Sequence, residues 1–375
     1  MKVVNVVQDF NTGGIQKLLL EYLRYFKGTS ELDYNVVVLE GSQDSAFDRI
    51  AWAEGLNIVY LNCAPSHNSH YYIRKLSDTL SYDGRLLKYL LRHKPDIVHT
   101  HNTRIFRRIQ RCIRLCKNRF VWCHSLHSDP YAVHESHIPV AKKMFEDAGV
   151  HPICLNETQF RKARQRYGLQ TCDYLYNIID IPKYRDAVCS REAVLRELGI
   201  PADAYVIGTV GRMEPVKNYG FLLEAFAEAA GKNEKAVLLF VGDGSQRQAL
   251  EAAAKSKGLG DRVFFAGVRS DAERLYRAMD VFVSTSVTES SGLVIVEAQA
   301  AGRTCVVADS CPDESICTPR VVKMAADATL EQWSEQLLHP SDFRQPAVKL
   351  EQYSPEQNVK NLVELYTRYI GAQKA

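Results

Sequence analysis

The chain has 375 residues, 46% of them hydrophobic and 24% charged, with a formal net charge of +3. That length suits two domain cores rather than one, and so small a charge gives no case for nucleic acid as a partner. No stretch approaches the roughly 18 uninterrupted apolar residues of a membrane-spanning helix, and the ten cysteines, Cys112/Cys116 and Cys311/Cys317 included, lack zinc-finger spacing.

From the start of the chain, Met1–Val7 is too short an apolar run for a signal peptide and reads as a first buried strand. Without an export signal, the cysteines read as reduced thiols of a cytoplasmic protein. Short β-branched runs then alternate with longer helical patterns. In the first half the runs are Val3–Gln8, Asn35–Leu39, Asn57–Leu61, Asp96–Thr100, Phe120–Cys123, Pro152–Leu155 and Tyr174–Tyr176. The second half has Val206–Val210, Val237–Val241, Val263–Ala266, Val281–Ser284 and Thr304–Ala308. Such alternation implies parallel sheets with crossover helices, the doubly wound α/β class. Residues 177–204 interrupt the pattern with Pro182, Pro201 and a charged stretch, so the domain junction is expected near 177–185.

In doubly wound sheets ligands bind beyond the carboxyl ends of the strands, so the strand-to-helix turns carry the argument. After the first strand comes Asn11-Thr12-Gly13-Gly14-Ile15-Gln16, where Gly13 and Gly14 let a ligand approach a helix N-terminus. This is not G-x-G-x-x-G, which disfavours a nicotinamide cofactor. Six of the eleven histidines fall at 99, 101, 124, 127, 134 and 137. For His101 and His124, at the ends of successive strands, three readings stand: sugar contact, a metal set of Cys123, His124 and His127, or satisfied structural histidines.

Between those strands, Arg104–Lys117 is basic with helical period. Ile105, Ile109, Cys112, Ile113 and Cys116 form its apolar stripe, and Arg104, Arg107, Arg108, Arg111 and Arg114 cover the rest. It reads either as an attachment to an anionic membrane surface, which would place the protein at the inner face of the plasma membrane, or as a sheet-covering helix with a solvated face.

In the second half, Gly208–Asn218 is the first strand-to-helix turn. There Gly211 precedes Arg212, and Arg212 and Lys217 flank a tight bend where they would converge on one anionic group; a diphosphate leaving group needs such cations if no metal is present. Gly242-Asp243-Gly244 and Gly267-Val268-Arg269 close the next two strands. The latter would hold a flat base with backbone groups. Thr288–Gly302 says most. A strand ends near Ser284, a polar turn carries Glu289, and a helix opens near Gly292, so that Ser291, Gly292, Leu293 and Val294 offer backbone N–H groups to a diphosphate. Glu297, leaning back toward that helix start, can accept hydrogen bonds from a vicinal diol such as ribose. Finally Pro355–Tyr369 is amphipathic, with Val359, Leu362, Val363, Tyr366 and Ile370 on a face expected to pack on the first domain.

Together Gly13-Gly14, His124, Arg212…Lys217 and Glu289…Glu297 resemble the retaining GT-B glycosyltransferases of family 4, over nearly the whole chain and most clearly from Val206 to Ala308. Asn177-Ile178-Ile179-Asp180 stands where that family has Asn-Gly-Val-Asp, and Ser290 where it has glycine. The resemblance implies two Rossmann-like doubly wound domains facing each other across a cleft. The first would comprise residues 1–177 joined by the helix 355–371, and the donor domain residues 178–354. It implies a nucleoside diphosphate sugar as co-substrate and a saccharide or lipid-linked acceptor in polysaccharide or glycolipid assembly, with no metal; no Asp-x-Asp motif occurs. Carried over, Glu297 would bind the ribose, Glu289 lie by the donor sugar, Arg212 and Lys217 hold the diphosphate, Gly14 approach the phosphate and His124 touch the sugar. Retention would come from front-face attack, the leaving phosphate taking the acceptor proton. A GT-B epimerase or phosphorylase, or a non-catalytic nucleotide-sugar-binding partner, are the alternatives.

Overall fold

The computed structural model describes residues 1–10, 13–40, 45–61, 71–116 and 118–374; Asn11, Thr12 and Lys117, named above, lie outside the described residues. The chain divides into two compact units, Met1–Ile178 with Pro355–Ala375, and Ile179–Ser354.

The first unit is a seven-stranded parallel sheet in the order β3-β2-β1-β4-β5-β6-β7. Its strands are β1 (Lys2–Val7), β2 (Asp33–Val38), β3 (Ile58–Tyr60), β4 (Ile97–His101), β5 (Val121–Ser125), β6 (His151–Cys154) and β7 (Asp173–Tyr174). The helices are α1 (Gly14–Phe26), α2 (Ala46–Ala53), α3 (Tyr71–His93), α4 (Phe106–Cys116), α5 (Ile138–Glu146) and α6 (Glu157–Tyr167). The two-residue period of the strands sends alternate side chains to opposite faces. Val4, Val6, Val37 and Val98 meet α3, α4 and α5. Val3, Val7, Val36 and Ile97 meet α1 and the last helix, α14 (Pro355–Lys374). A sheet covered on both faces needs strands that are largely apolar, and the polar residues these carry, such as Asn5 and His99, are buried with hydrogen-bond partners.

The amphipathic C-terminal segment packs in this first unit through Val359, Leu362, Leu365, Tyr366 and Tyr369. The buried face is turned from the expected one: Val363 and Ile370 are only half-buried. Tyr369 draws it round, stacking on His151 at 4.3 Å and donating to Asp173 Oδ2 at 2.6 Å.

The second unit is a six-stranded parallel sheet in the order β10-β9-β8-β11-β12-β13. Its strands are β8 (Tyr205–Val210), β9 (Ala236–Val241), β10 (Val263–Phe265), β11 (Val281–Ser284), β12 (Thr304–Ala308) and β13 (Val321–Met324). Its helices are α7 (Ile181–Arg185), α8 (Arg191–Glu197), α9 (Tyr219–Lys232), α10 (Arg247–Ser256), α11 (Ala272–Ala278), α12 (Leu293–Ala300) and α13 (Leu330–Leu338). The strand β13 was not expected from the sequence. Its four residues, Val-Val-Lys-Met, include Lys323, whose ammonium reaches Asp313 at 2.6 Å. In each sheet the chain starts near the middle and reverses direction of growth, between β1 and β4 and between β8 and β11. Crevices for ligands form at such switch points, beyond the carboxyl ends.

The basic segment is a sheet-covering helix. Ile105, Ile109, Cys112, Ile113 and Cys116 are all buried in the core, while Arg104, Arg107, Arg111 and Arg114 are exposed. Arg108 is half-buried and pairs with Glu40. Among the described residues, no helix is long and apolar enough to cross a membrane, and the cysteines are free thiols.

Candidate functional site

The residues singled out in the second unit sit on four loops at the carboxyl edge of its sheet, and the backbone laces those loops together. Gly211 N–H donates to Val241 O (2.9 Å), Met213 N–H to Asp243 O (2.9 Å) and Gly242 N–H to Gly267 O (2.8 Å). On the other side of β8, Val287 N–H donates to Val216 O (2.8 Å) and Thr285 Oγ1 to Lys217 O (3.0 Å). Glu214 ties across as well, accepting from Ser245 Oγ at 2.7 Å. Glycine is required where the loops touch. Gly242 has φ +133°, and a Cβ there would overlap the Gly211 carbonyl oxygen.

This lacing brings Lys217 and Glu289 into an ion pair, Nζ to Oε2 at 2.7 Å, although 72 residues separate them. Both are mostly shielded, with side chains 20% and 15% exposed. Ser286 Oγ lies 3.4 Å from the same carboxylate oxygen. Arg212, on the same loop as Lys217, is exposed. Among the described residues its guanidinium makes no hydrogen bond or ion pair, and Glu214 is the carboxylate that feels its charge. The structure therefore joins Lys217 to Glu289 and leaves Arg212 as an exposed cation with no side-chain partner among the described residues.

Helix α12 opens immediately beyond. Gly292 is its N-cap, in the left-handed region at φ 61°, ψ 35°, and no side chain caps the helix. Leu293 and Val294 form its half-buried first turn, with Ser291 just outside. The positive end of the helix is thus offered beside the Lys217 loop, a combination suited to an anion. Glu297, one turn further in, is buried, 6% exposed. It is not isolated: Tyr276 donates to its Oε2 at 3.0 Å, and Tyr184 is hydrogen-bonded to the same carboxylate.

At the third loop, Gly267 adopts φ +69° and Val268 is 78% exposed, so the backbone there stands open. The Arg269 side chain is committed elsewhere, bonding Asp271 Oδ1 at 2.8 Å and Glu197 Oε1 at 2.6 Å. The backbone of Val268 and the exposed Val268 side chain are left to meet a ligand.

In the first unit, Gly13 and Gly14 open α1 as expected. Gly13 is extended, no side chain caps the helix, and a Cβ at Gly14 would meet nothing within 4 Å. His124, expected to touch the sugar, has a buried Nε2 without a hydrogen-bond partner among the described residues. Its ring is fully buried, 4.3 Å from the Phe106 ring and 5.9 Å from that of Phe145, and its Nδ1 is paired with Thr100 Oγ1. Position 124 has the parity of Trp122, which points toward α4 and α5, and so β5 turns the ring into that core. The metal reading of Cys123, His124 and His127 fails on geometry. Each is engaged separately, and among the described residues no group of three or more His, Cys, Asp or Glu gathers that would hold a metal ion.

The histidines on the opposite face form a chain that spacing did not reveal. His101 shares a hydrogen bond with His127 (2.9 Å) and another with Asn5 Oδ1 (3.1 Å); His99 bridges Tyr366 (2.7 Å) and Ser125 (2.8 Å). Burial holds His99 down to about 3 and His127 down to about 4. These rings are neutral at ordinary pH.

Two parallel-sheet Rossmann-like domains with these strand orders define the GT-B class of fold. Solved structures of that class superpose on nearly the whole chain. The Anabaena Alr3699/HepE complex with UDP-glucose has TM-score 0.72 at 19% identity, covering 99% of this chain and 98% of that one. A glycosyltransferase from Rickettsia africae ESF-5 has TM-score 0.76 at 15% identity, covering 98% of both. Residues 190–339 match the family model "Glycosyl transferases group 1". Among sequences, "Putative glycosyltransferase EpsF" of Bacillus subtilis (strain 168) is 30% identical over 176 residues, 45% of this chain and 46% of that protein. The Escherichia coli UDP-Gal:alpha-D-GlcNAc-diphosphoundecaprenol alpha-1,3-galactosyltransferase is 29% identical over 236 residues, 60% of each. The chain thus spans about half the length of the relatives it matches.

Proposed function

We propose that the protein is a glycosyltransferase that moves a sugar from a nucleoside diphosphate sugar to an acceptor hydroxyl, in polysaccharide or glycolipid assembly. The observation that carries this reading is the set of groups on the second unit's carboxyl edge. The exposed Arg212, the Lys217–Glu289 pair, the uncapped start of α12 and the buried Glu297 carboxylate lie on adjoining, hydrogen-bonded loops. The segment matching the group 1 family model contains all of them. The complex of similar fold with UDP-glucose, and the relative that acts on GlcNAc-diphosphoundecaprenol, support a nucleotide-sugar donor and a saccharide or lipid-linked acceptor.

In this reading the diphosphate lies between Arg212, Lys217 and the amides of Ser291–Val294. Its negative charge grows as the sugar leaves, and preorganised cations and a helix dipole stabilise that charge without reorganising. Glu289 holds Lys217 in place and borders the sugar. Glu297 accepts from the ribose diol, and the open backbone of Gly267–Arg269 takes the base. The anomeric configuration is retained by front-face attack, the leaving phosphate taking the acceptor proton, and no metal takes part. The protein works in the cytoplasm, at the inner face of the plasma membrane if α4 meets anionic lipid. Incubation with UDP-, GDP- and ADP-sugars tests this: a glycoside of unchanged anomeric configuration supports it. An epimer, a sugar phosphate or an untouched donor with every acceptor class would count against it.

A further inference from the structure

The Glu297 carboxylate is held by groups that the reading above leaves without a task. Burying a carboxylate almost completely is costly unless hydrogen bonds replace the lost water. Here the donors are two phenols. Tyr276, on α11, is fully buried, and its hydroxyl lies 3.0 Å from Glu297 Oε2 and 3.1 Å from Val294 O in the first turn of α12. Tyr184, on α7, is 3% exposed and hydrogen-bonds the same carboxylate. Their rings meet edge to face at 5.9 Å, and Tyr276 packs on Phe282 of β11 at 5.8 Å. Neither phenol has room to swing away.

We propose that Tyr276 and Tyr184 are positioning residues: their hydroxyls fix the Glu297 carboxylate in one orientation, and through it make the protein selective for a nucleoside diphosphate that carries an intact ribose diol. The inference rests on the reading of Glu297 as the ribose acceptor. A carboxylate has about four acceptor positions, so two phenol donors do not by themselves exclude a diol from it. Aiming that capacity requires the side chain to be fixed. The Tyr276 hydroxyl does so while also touching the backbone of the helix whose N-terminus meets the diphosphate, and so registers the diol and phosphate subsites against each other. Phenols suit the task better than lysine or arginine, because they orient the carboxylate without neutralising it. A carboxylate that keeps its charge accepts more strongly from a sugar hydroxyl. The proximity also acts back on the phenols: burial and the neighbouring Glu297 charge push both well above the ordinary tyrosine value, so they stay protonated donors.

The test is calorimetric titration of the full chain with UDP and GDP and with their 2′,3′-dideoxy analogues. Wild type is expected to prefer the ribose form by roughly tenfold or more, the scale of hydrogen bonds to a charged group. Tyr276→Phe keeps the ring and removes the hydroxyl. It should weaken ribonucleotide binding and leave the dideoxy analogue within about twofold, so that the preference shrinks toward one. Tyr184→Phe, the variant of the less buried ring, should shrink it in the same direction. A preference unchanged in both folded variants overturns the positioning role, as does equal weakening of both ligands, which a merely structural tyrosine would give. A wild type that does not distinguish the two ligands, or binds neither, removes the underlying reading of Glu297 and the inference with it.

Discussion

The ammonium of Lys217 lies 2.7 Å from the Glu289 carboxylate, and the loops that carry the two are joined by Val287 N–H to Val216 O at 2.8 Å. Because the backbone already holds the loops together, the pair's consequence lies in function more than in stability. A mostly shielded pair of this kind gives back in desolvation much of what its attraction gains, so it adds modestly to folding. Lys217→Ala is therefore expected to fold normally and to lower turnover of the nucleotide-sugar donor by about 10²–10³, the scale seen when one preorganised charge-stabilising donor is removed. Thermal melting and kcat measured together check it, and near-normal turnover would remove the leaving-group role.

The glycines of this unit separate into two kinds. Gly242 stands at φ +133°, where a Cβ would overlap the Gly211 carbonyl oxygen. Gly242→Ala should cost about 1–3 kcal/mol from backbone strain and overlap and lower nucleotide affinity with it. Gly231, exposed in α9, would meet nothing within 4 Å. Gly231→Ala should stabilise by about 0.5–1 kcal/mol, since alanine loses less chain freedom in a helix. Denaturant midpoints of the two variants should move in opposite directions.

The buried histidines make the first unit sensitive to acid. His127, held down to about 4 by burial, has a folded pKa below its unfolded value of about 6.5. The unfolded chain therefore takes up the proton first, and stability present above about pH 6.5 is lost as pH falls toward 4. At pH 5 the loss is about 2 kcal/mol for this one ring. Asp83, pushed up to about 6 by burial, acts in the opposite sense, so the measurement is a difference. Wild type should lose more melting temperature between pH 7.5 and 5 than His127→Gln; equal slopes contradict the assignment.

The apolar stripe of α4 is spent on the core, so lipid would meet only its arginines and the exposed Leu115. Any attachment to anionic vesicles must then be electrostatic, worth about 1 kcal/mol per arginine near the surface and screened by salt. Vesicle flotation should fall steeply with added salt and with Arg111→Glu/Arg114→Glu. Flotation that ignores the anionic lipid content would remove this surface as the attachment.

Much of this is legible in the sequence. The twelve expected strand runs all overlap strands, most closely where continuous apolar segments such as β8 and β9 leave a buried parallel strand few alternatives. The strand-end glycines and the Glu289 turn were legible for a related reason: a strand-to-helix turn exposes its chemistry in a fixed order. What escaped depended on side-chain direction and long-range contact. The direction of the His124 ring, against Phe106 and Phe145, follows from strand parity, which spacing alone did not give. Tyr184 and Tyr276 carried no local signal, because their role arises from a carboxylate 113 and 21 residues away in sequence. Lys323 hid β13 by breaking its apolar run.

The most direct measurement of the central claim is calorimetric binding of nucleoside diphosphates to wild type, Arg212→Ala and Lys217→Ala. The Arg212 side chain makes no hydrogen bond or ion pair among the described residues, so its removal should leave stability within about 0.5 kcal/mol of wild type. The account expects at least one diphosphate of the UDP, GDP and ADP panel to bind wild type, and each variant to bind it roughly tenfold or more weakly. Binding of none of the three, or equal binding by all three proteins, would contradict it.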